Sequence, residues 1–275
     1  MNANHTNLFK QITSTNALVL LVSAMCWTGC STVPVTGRSQ LNLMSQDQEM
    51  QLGLTSFEQM KKEVPVSNNA QARALVEKVG KRVAAVAGPD MPNAQWEFVV
   101  FESKEANAFC LPGGKVGIYT GILPITKDEA GLATVIGHEV AHAVARHGGE
   151  RMSQAMGLEL LGAAASVATS QSKYHDYVVA GYGLGSQVGV ALPHSRMQES
   201  EADRIGLVYM AQAGYDPAEA VNFWERFAAY NQEQGGGDGL WFLRTHPLNE
   251  DRIRQIKEWV PEARQKAQIG SAVRR

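Results

Sequence analysis

The stretch Val135-Ile136-Gly137-His138-Glu139-Val140-Ala141-His142 decides how this chain is read, because it sets two imidazoles and a carboxylate into an otherwise apolar run. On an α-helix, His138 and His142 stand one turn apart on one face, close enough to share a metal ion, while Glu139 is rotated by about 100°. Zinc would take the two neutral imidazoles. Glu139, too far round to ligate beside them, is placed to hold a water at the metal and to accept its proton. From Ala130 to Ala145 Glu139 is the only charged residue, and burying a carboxylate and two imidazoles in such a helix is costly unless a partner such as a divalent cation joins them. Thr126 and Glu129 have the spacing of a capping box at the helix start, and Gly148-Gly149 is expected to end it.

The chain has 275 residues, 44% hydrophobic content and a net charge of −2. That is enough to bury a sizeable core, and it lacks the basic excess of a nucleic-acid binder. Three cysteines do not make a disulfide framework. Ala17 to Trp27 is an uncharged, mostly apolar run behind a leader in which Lys10 is the formal positive charge, and its 11 residues are too few to span a bilayer. It reads as a secretory segment. Its end, Trp27-Thr28-Gly29-Cys30-Ser31, resembles a bacterial lipobox, so residues 1–29 are expected to be a lipoprotein-type signal peptide with Cys30 acylated. Ser31 resembles the residue that sorts such proteins to the outer membrane. The expected location is therefore the periplasm, lipid-anchored to a membrane, the outer one favoured.

Residues 30–65 read as a tether followed by a helix, which Ser45 and Gln48 open as a capping box and which runs to about Lys62. Asn68 is expected to cap a second helix to about Ala87, with Leu75, Val79, Val83 and Val86 on its core stripe. Trp96 to Phe101 reads as a strand, and Ala106 to Ile122 as strand, tight turn at Pro112-Gly113-Gly114, and strand. Beside a metal helix such a strand commonly forms an exposed edge to which an extended peptide adds, so Asn107, Ala108, Phe109, Gly113 and Gly114 are candidate substrate contacts. Cys110 reads as a small buried hydrophobe.

Two histidines leave a catalytic zinc one protein ligand short. Glu199-Ser200-Glu201-Ala202-Asp203 begins another helical segment in which Glu199 and Asp203 are one turn apart. Glu199 is then the third ligand, and Asp203 accepts the free ring N–H of a ligating histidine. Glu201 points away, toward a surface or Arg204 contact. His147, five residues after His142, falls on a different helix face and reads, like His175 and His194, as surface or structural. Gly181 to Gly185 is expected to serve close helix packing. Asp216-Pro217 should start a helix with Trp224 and Phe227 in the core, and Gly235 to Gly239 is a linker.

These residues, with Thr245-His246-Pro247 and Arg252, resemble the HtpX-like zinc metallopeptidases. That gluzincin family includes the CAAX prenyl proteases, and the layout here is nearest to its periplasmic lipoprotein members. The resemblance implies an α+β, mainly helical, zincin-like domain over residues 66–260 with a small sheet whose edge strand faces the cleft, followed by a charged tail, 261–275. It implies one Zn²⁺ per chain, endopeptidase activity on misfolded or misassembled envelope proteins, and a link to outer-membrane assembly machinery. It also puts His246 near the metal, with two roles open: donor to the tetrahedral oxyanion, or occupant of zinc's open position holding the enzyme latent. Arg252 is implied beside the same loop. A chaperone that holds client strands and cleaves rarely is the competing reading.

Overall fold

The computed structural model describes residues 30–170, 172–186, 192–233, 242, 246–247 and 250–273. The expected leader and the glycine linker at 235–239 lie outside them. In chain order the elements are β1 (Cys30–Thr32), β2 (Ser39–Leu41), α1 (Gln46–Glu63), α2 (Ala70–Ala87), β3 (Glu97–Phe101), β4 (Ala108–Leu111), β5 (Lys115–Tyr119), a short α3 (Leu123–Thr126), α4 (Glu129–Val144), α5 (His147–Thr169), α6 (His175–Ser186), α7 (Leu192–Gln212), α8 (Glu219–Glu233) and α9 (Glu250–Val273). The class is α+β and mainly helical, as its sequence implies.

α4 is the axle. A helix that is apolar on every face must be buried on every face, and Leu132, Val135, Ile136, Val140 and Ala141 are all fully enclosed. α2, α7, α8 and β4 surround it. Its start differs from the expected capping box, because the Thr126 hydroxyl turns back to the Leu123 carbonyl and closes α3. Lys127 then takes φ 67°, and Asp128 becomes the cap, accepting from the Gly131 N–H. Its end differs too. Arg146, at φ 54°, breaks the helix, and Gly148 and Gly149 lie inside α5. A left-handed arginine is strained, and here the guanidinium offsets that by binding Glu49 of α1 at 2.8 Å and the Met44 carbonyl at 2.8 Å.

The three-stranded sheet has the order β3-β5-β4, with β3 parallel and β4 antiparallel to β5. β4 is thus an edge, as expected, and it lies against α4. Gly113 (φ 86°) and Gly114 (φ 81°) make the turn, a conformation few other residues adopt without strain. The tether is more ordered than its composition suggests. β1 and β2 pair antiparallel, Ser31 opposite Gln40, and dock on α5, where the Leu43 N–H donates to Ser153 Oγ.

The Ser45–Gln48 capping box of α1 is present, and α2 is capped by Asn69 rather than Asn68. Asp216 caps a turn through the Ala218 N–H, delaying α8 to Glu219, whose Trp224 and Phe227 are buried as expected. Gly181 faces open space, so no close packing exists there. No break separates residues 261–273 from the domain, since α9 runs through Pro261 to Val273 and buries Ala263.

α4 and α7 cross at glycines. A Cβ on Gly206 would sit 2.9 Å from the His138 nitrogen, and one on Gly137 would sit 3.0 Å from the Gly206 carbonyl. Gly206→Val is therefore expected to force the helices apart at a cost of about 1–3 kcal/mol. That is roughly 2–4 °C of melting temperature for each kcal/mol in a domain of this size, with weakened zinc retention, read by calorimetry and metal analysis.

Candidate metal centre

Two turns of two helices supply the centre: α4 presents His138 and His142, and α7 presents Glu199 and Asp203. His246 reaches in from the segment between α8 and α9. The Nε2 atoms of His138 and His142 are 3.1 Å apart, and His246 Nδ1 is 3.2 Å from His138 Nε2. The Glu199 carboxylate lies 3.4 Å from His138 Nε2, 3.3 Å from His142 Nε2 and 2.9 Å from His246 Nδ1. All four donors fall within 4.8 Å of one another. A tetrahedral ion with bonds of about 2.0–2.1 Å places neighbouring donors about 3.3–3.4 Å apart, so these spacings fit one zinc.

The chemistry of the donors fits as well. Three imidazole nitrogens converge on one carboxylate in an apolar surround, an arrangement that needs a cation between the facing lone pairs. Glu139 stands just outside. Among the described residues its buried Oε1 makes no hydrogen bond, and His246 Nε2 lies 3.3 Å from it.

The supporting contacts orient each ligand. His138 Nδ1 lies 2.9 Å from Asp203 Oδ1, leaving Nε2 to face the centre. Arg252 donates to both oxygens of Asp203, approaches Glu199 Oε2 at 3.3 Å, and donates to the carbonyls of His246 and Pro247 at 3.2 and 3.1 Å. Its guanidinium lies over the Trp224 ring. One fully buried arginine thus ties the His246 segment to α7.

Burial dominates the ionisation of the group. It pushes the Glu139 carboxyl up and the His142 imidazole well down. It opposes charge on His138 and Glu199 too, but there hydrogen bonds win. Asp203 and Glu199 raise His138 to about 9, and His138, His142 and His246 hold the Glu199 carboxyl far below its ordinary range.

Two residues read from the sequence as peripheral belong here. His147 Nδ1 is 2.8 Å from His142 Nδ1, and His147 Nε2 is 3.1 Å from Glu201 Oε2. Glu201 makes no pair with Arg204, which binds Glu262 instead. It binds Arg38 Nε at 2.7 Å and the Thr36 hydroxyl. His147 falls on a different face from His142 only along one unbroken helix, and Arg146 breaks the helix between them.

The cleft over the centre has a volume of roughly 790 Å³ and is lined by Asn107, Ala108, Phe109, Cys110, Glu139, Glu199 and His246. Gly113 faces a neighbouring hollow and Gly114 packs toward Trp96, so both shape the strand's turn rather than the cleft. Cys110 is half-buried on the edge strand, and burial with the nearby Glu139 pushes its thiol up, which leaves it unreactive.

A helical domain holding a His-Glu-x-x-His helix, a carboxylate from a second helix beside it and an edge strand over the site is a zinc metalloendopeptidase. Its residues 70–260 match the model of Peptidase family M48, and the chain belongs to that family, whose members use zinc. It is 38% identical over 239 residues to the mitochondrial metalloendopeptidase OMA1 of Schizosaccharomyces pombe, covering 85% of this chain and 67% of that one. Against the Saccharomyces cerevisiae protein of the same name it is 32% identical, covering 88% and 72%. It is 26% identical to the β-barrel assembly-enhancing protease of Escherichia coli, covering 91% of this chain and 53% of that one. The mitochondrial relatives overturn the expected placement in the periplasm, lipid-anchored to the outer membrane. That placement rested on the apolar run Ala17–Trp27 and the Trp27–Ser31 stretch that ends it, a local signal, and similarity along most of the chain outweighs it.

A metal ion competes with the proton on His138 below about pH 9. Zinc affinity is expected to rise with pH between 6 and 8 by about tenfold per unit for each proton displaced, as measured by chelator competition. The sign reverses for the metal-free fold. With its folded pKa raised, His138 contributes stability that is full below pH 6.5 and lost as pH rises through about 9.

Proposed function

We propose that the chain cuts internal peptide bonds of extended or locally unfolded polypeptide, with His138, His142 and Glu199 holding one zinc ion and Glu139 as general base. The observation that carries this reading is the Glu139 carboxylate. Its Oε1 is buried beside the four-donor cluster, facing His246 Nε2 at 3.3 Å and making no hydrogen bond among the described residues, at the floor of a cleft walled by a strand with no described neighbour on its outer edge. A substrate segment pairing with Asn107, Ala108 and Phe109 would lie extended across the cleft, its main-chain groups supplying affinity and its side chains specificity. When bound, zinc supplies Lewis acidity, polarising the scissile carbonyl and making a water acidic near neutral pH. Glu139, its carboxyl raised by burial, takes the proton from the attacking water and returns it to the leaving amine. Asp203 holds the His138 tautomer, and Arg252 holds Asp203.

His246 supports a latent resting state. Its Nδ1 sits among the donors, and with His138, His142 and Glu199 it would complete the set that holds the metal and leave no place for a water. Catalysis would then require His246 to leave the donor set, freeing its imidazole to donate to the developing oxyanion. Low resting proteolysis makes strand-holding without cleavage a companion activity, and the name of the E. coli relative, a protease that enhances β-barrel assembly, agrees with such a dual role.

Glu139→Gln is expected to keep one zinc per chain and to lose casein hydrolysis by several orders of magnitude. Wild-type turnover in that variant removes the mechanism. His246→Ala is expected to raise hydrolysis several-fold at unchanged zinc content. A loss of the size of a missing oxyanion donor, about 10²–10³-fold, makes that donor role the principal one instead.

A further inference from the structure

We propose that His147 is a positioning residue for His142, and that the β1–β2 loop, through Arg38 and Glu201, holds His147 in the one tautomer that frees the His142 ligand atom. The inference rests on the reading of His142 as a metal ligand. It follows from counting protons along a single chain of contacts. Glu201, ionised and bound by Arg38 and the Thr36 hydroxyl, can only accept. The proton between it and His147 therefore belongs to His147 Nε2, 3.1 Å away. A neutral imidazole with its proton on Nε2 carries a lone pair on Nδ1, and that atom lies 2.8 Å from His142 Nδ1. The proton in this second gap must then sit on His142 Nδ1, and the lone pair of His142 is left on Nε2, the atom that faces His138 and Glu199.

The two histidines of the motif are thus served differently. Asp203 reaches His138 directly at 2.9 Å, whereas Glu201 reaches His142 only through a second imidazole. That relay is enclosed, His147 being wholly buried and Glu201 nearly so. Its far end is anchored outside the catalytic core. Arg38 lies between β1 and β2 and also grips Glu150 through two nitrogens at 2.7 and 2.9 Å, while Gln198 donates to the same carboxylate at 2.7 Å. The N-terminal hairpin is in this way a structural part of the metal centre, with Arg38 standing 100 residues before His138 in sequence. Among the described residues Arg38 and His147 are the basic side chains that bind Glu201.

The test compares full-length wild type with His142→Ala, His147→Leu, His147→Gln and Arg38→Gln. Zinc affinity is measured against a chromophoric chelator, the cobalt(II)-substituted proteins are compared by visible absorption, and circular dichroism of the zinc-free forms reports folding. His147→Leu is expected to bind zinc about 10–100-fold more weakly with an altered cobalt spectrum. His147→Gln, whose amide can donate to Glu201 and accept from His142, should recover most of both, a rescue that packing alone does not produce. Arg38→Gln should weaken binding by about 3–10-fold while the fold is kept, a fraction of the full loss because Thr36 and His147 still hold Glu201. Wild-type affinity and spectrum in His147→Leu, or equal impairment in the Leu and Gln variants, overturns the proposal. Should His147→Leu not fold, unchanged affinity in Arg38→Gln overturns it. His142→Ala separates the two levels: wild-type zinc binding there defeats the ligand assignment itself, whereas its loss there beside intact binding in the His147 variants defeats the relay alone.

Discussion

The structure depends on keeping a knot of ionisable groups inside an apolar core. His138, Glu139, His142, His147, Glu199, Glu201, Asp203 and Arg252 are all buried, and isolated charges in such a place are very costly. Charged members are therefore matched: Asp203 by Arg252, Glu201 by Arg38, and His138 by Asp203. Glu139 Oε1 makes no hydrogen bond among the described residues and faces His246 Nε2 at 3.3 Å, and a buried carboxylate so held at the floor of a cleft marks where incoming chemistry is expected.

The scaffold exists to hold that knot still. α4 and α7 approach closely because Gly137 and Gly206 meet where they cross, and close approach is what lets two pairs of side chains, each one turn apart, face a common point. Around this crossing the aromatic residues Trp224, Phe227 and Phe242 close one side, and β4 closes the other. Arg252, stacked on Trp224, joins the core packing to the polar contacts, so the ligand segment at His246 is positioned by the same residue that neutralises Asp203.

Different parts of the site were legible to different degrees. His138, Glu139 and His142 lie within one helical turn, where periodicity alone orients side chains, and Glu199 and Asp203 repeat that logic on a second helix. His147 was misread for a local reason. A positive φ at Arg146, supported by Glu49 nearly a hundred residues earlier, starts a new helix and redirects the imidazole. The capping of α4 failed similarly, because Thr126 has a nearer carbonyl to bond and leaves the cap to Asp128. The short N-terminal signal misled as to location, since a few small and apolar residues beside a cysteine carry little information compared with similarity over most of the chain.

From its residues alone the chain determined an apolar helix carrying two histidines one turn apart with a glutamate between them, a second helix carrying a carboxylate pair, and a hairpin strand beside them, since each of these is set by contacts within a few residues. Which donors meet, that His246 joins them, and that Arg38 and Glu201 stand behind His142 were decided only by the tertiary structure. Those juxtapositions join positions up to 163 residues apart, and what brings them together is the crossing of two helices at a pair of glycines and the break at Arg146 that ends one of them, neither of which has a local signature.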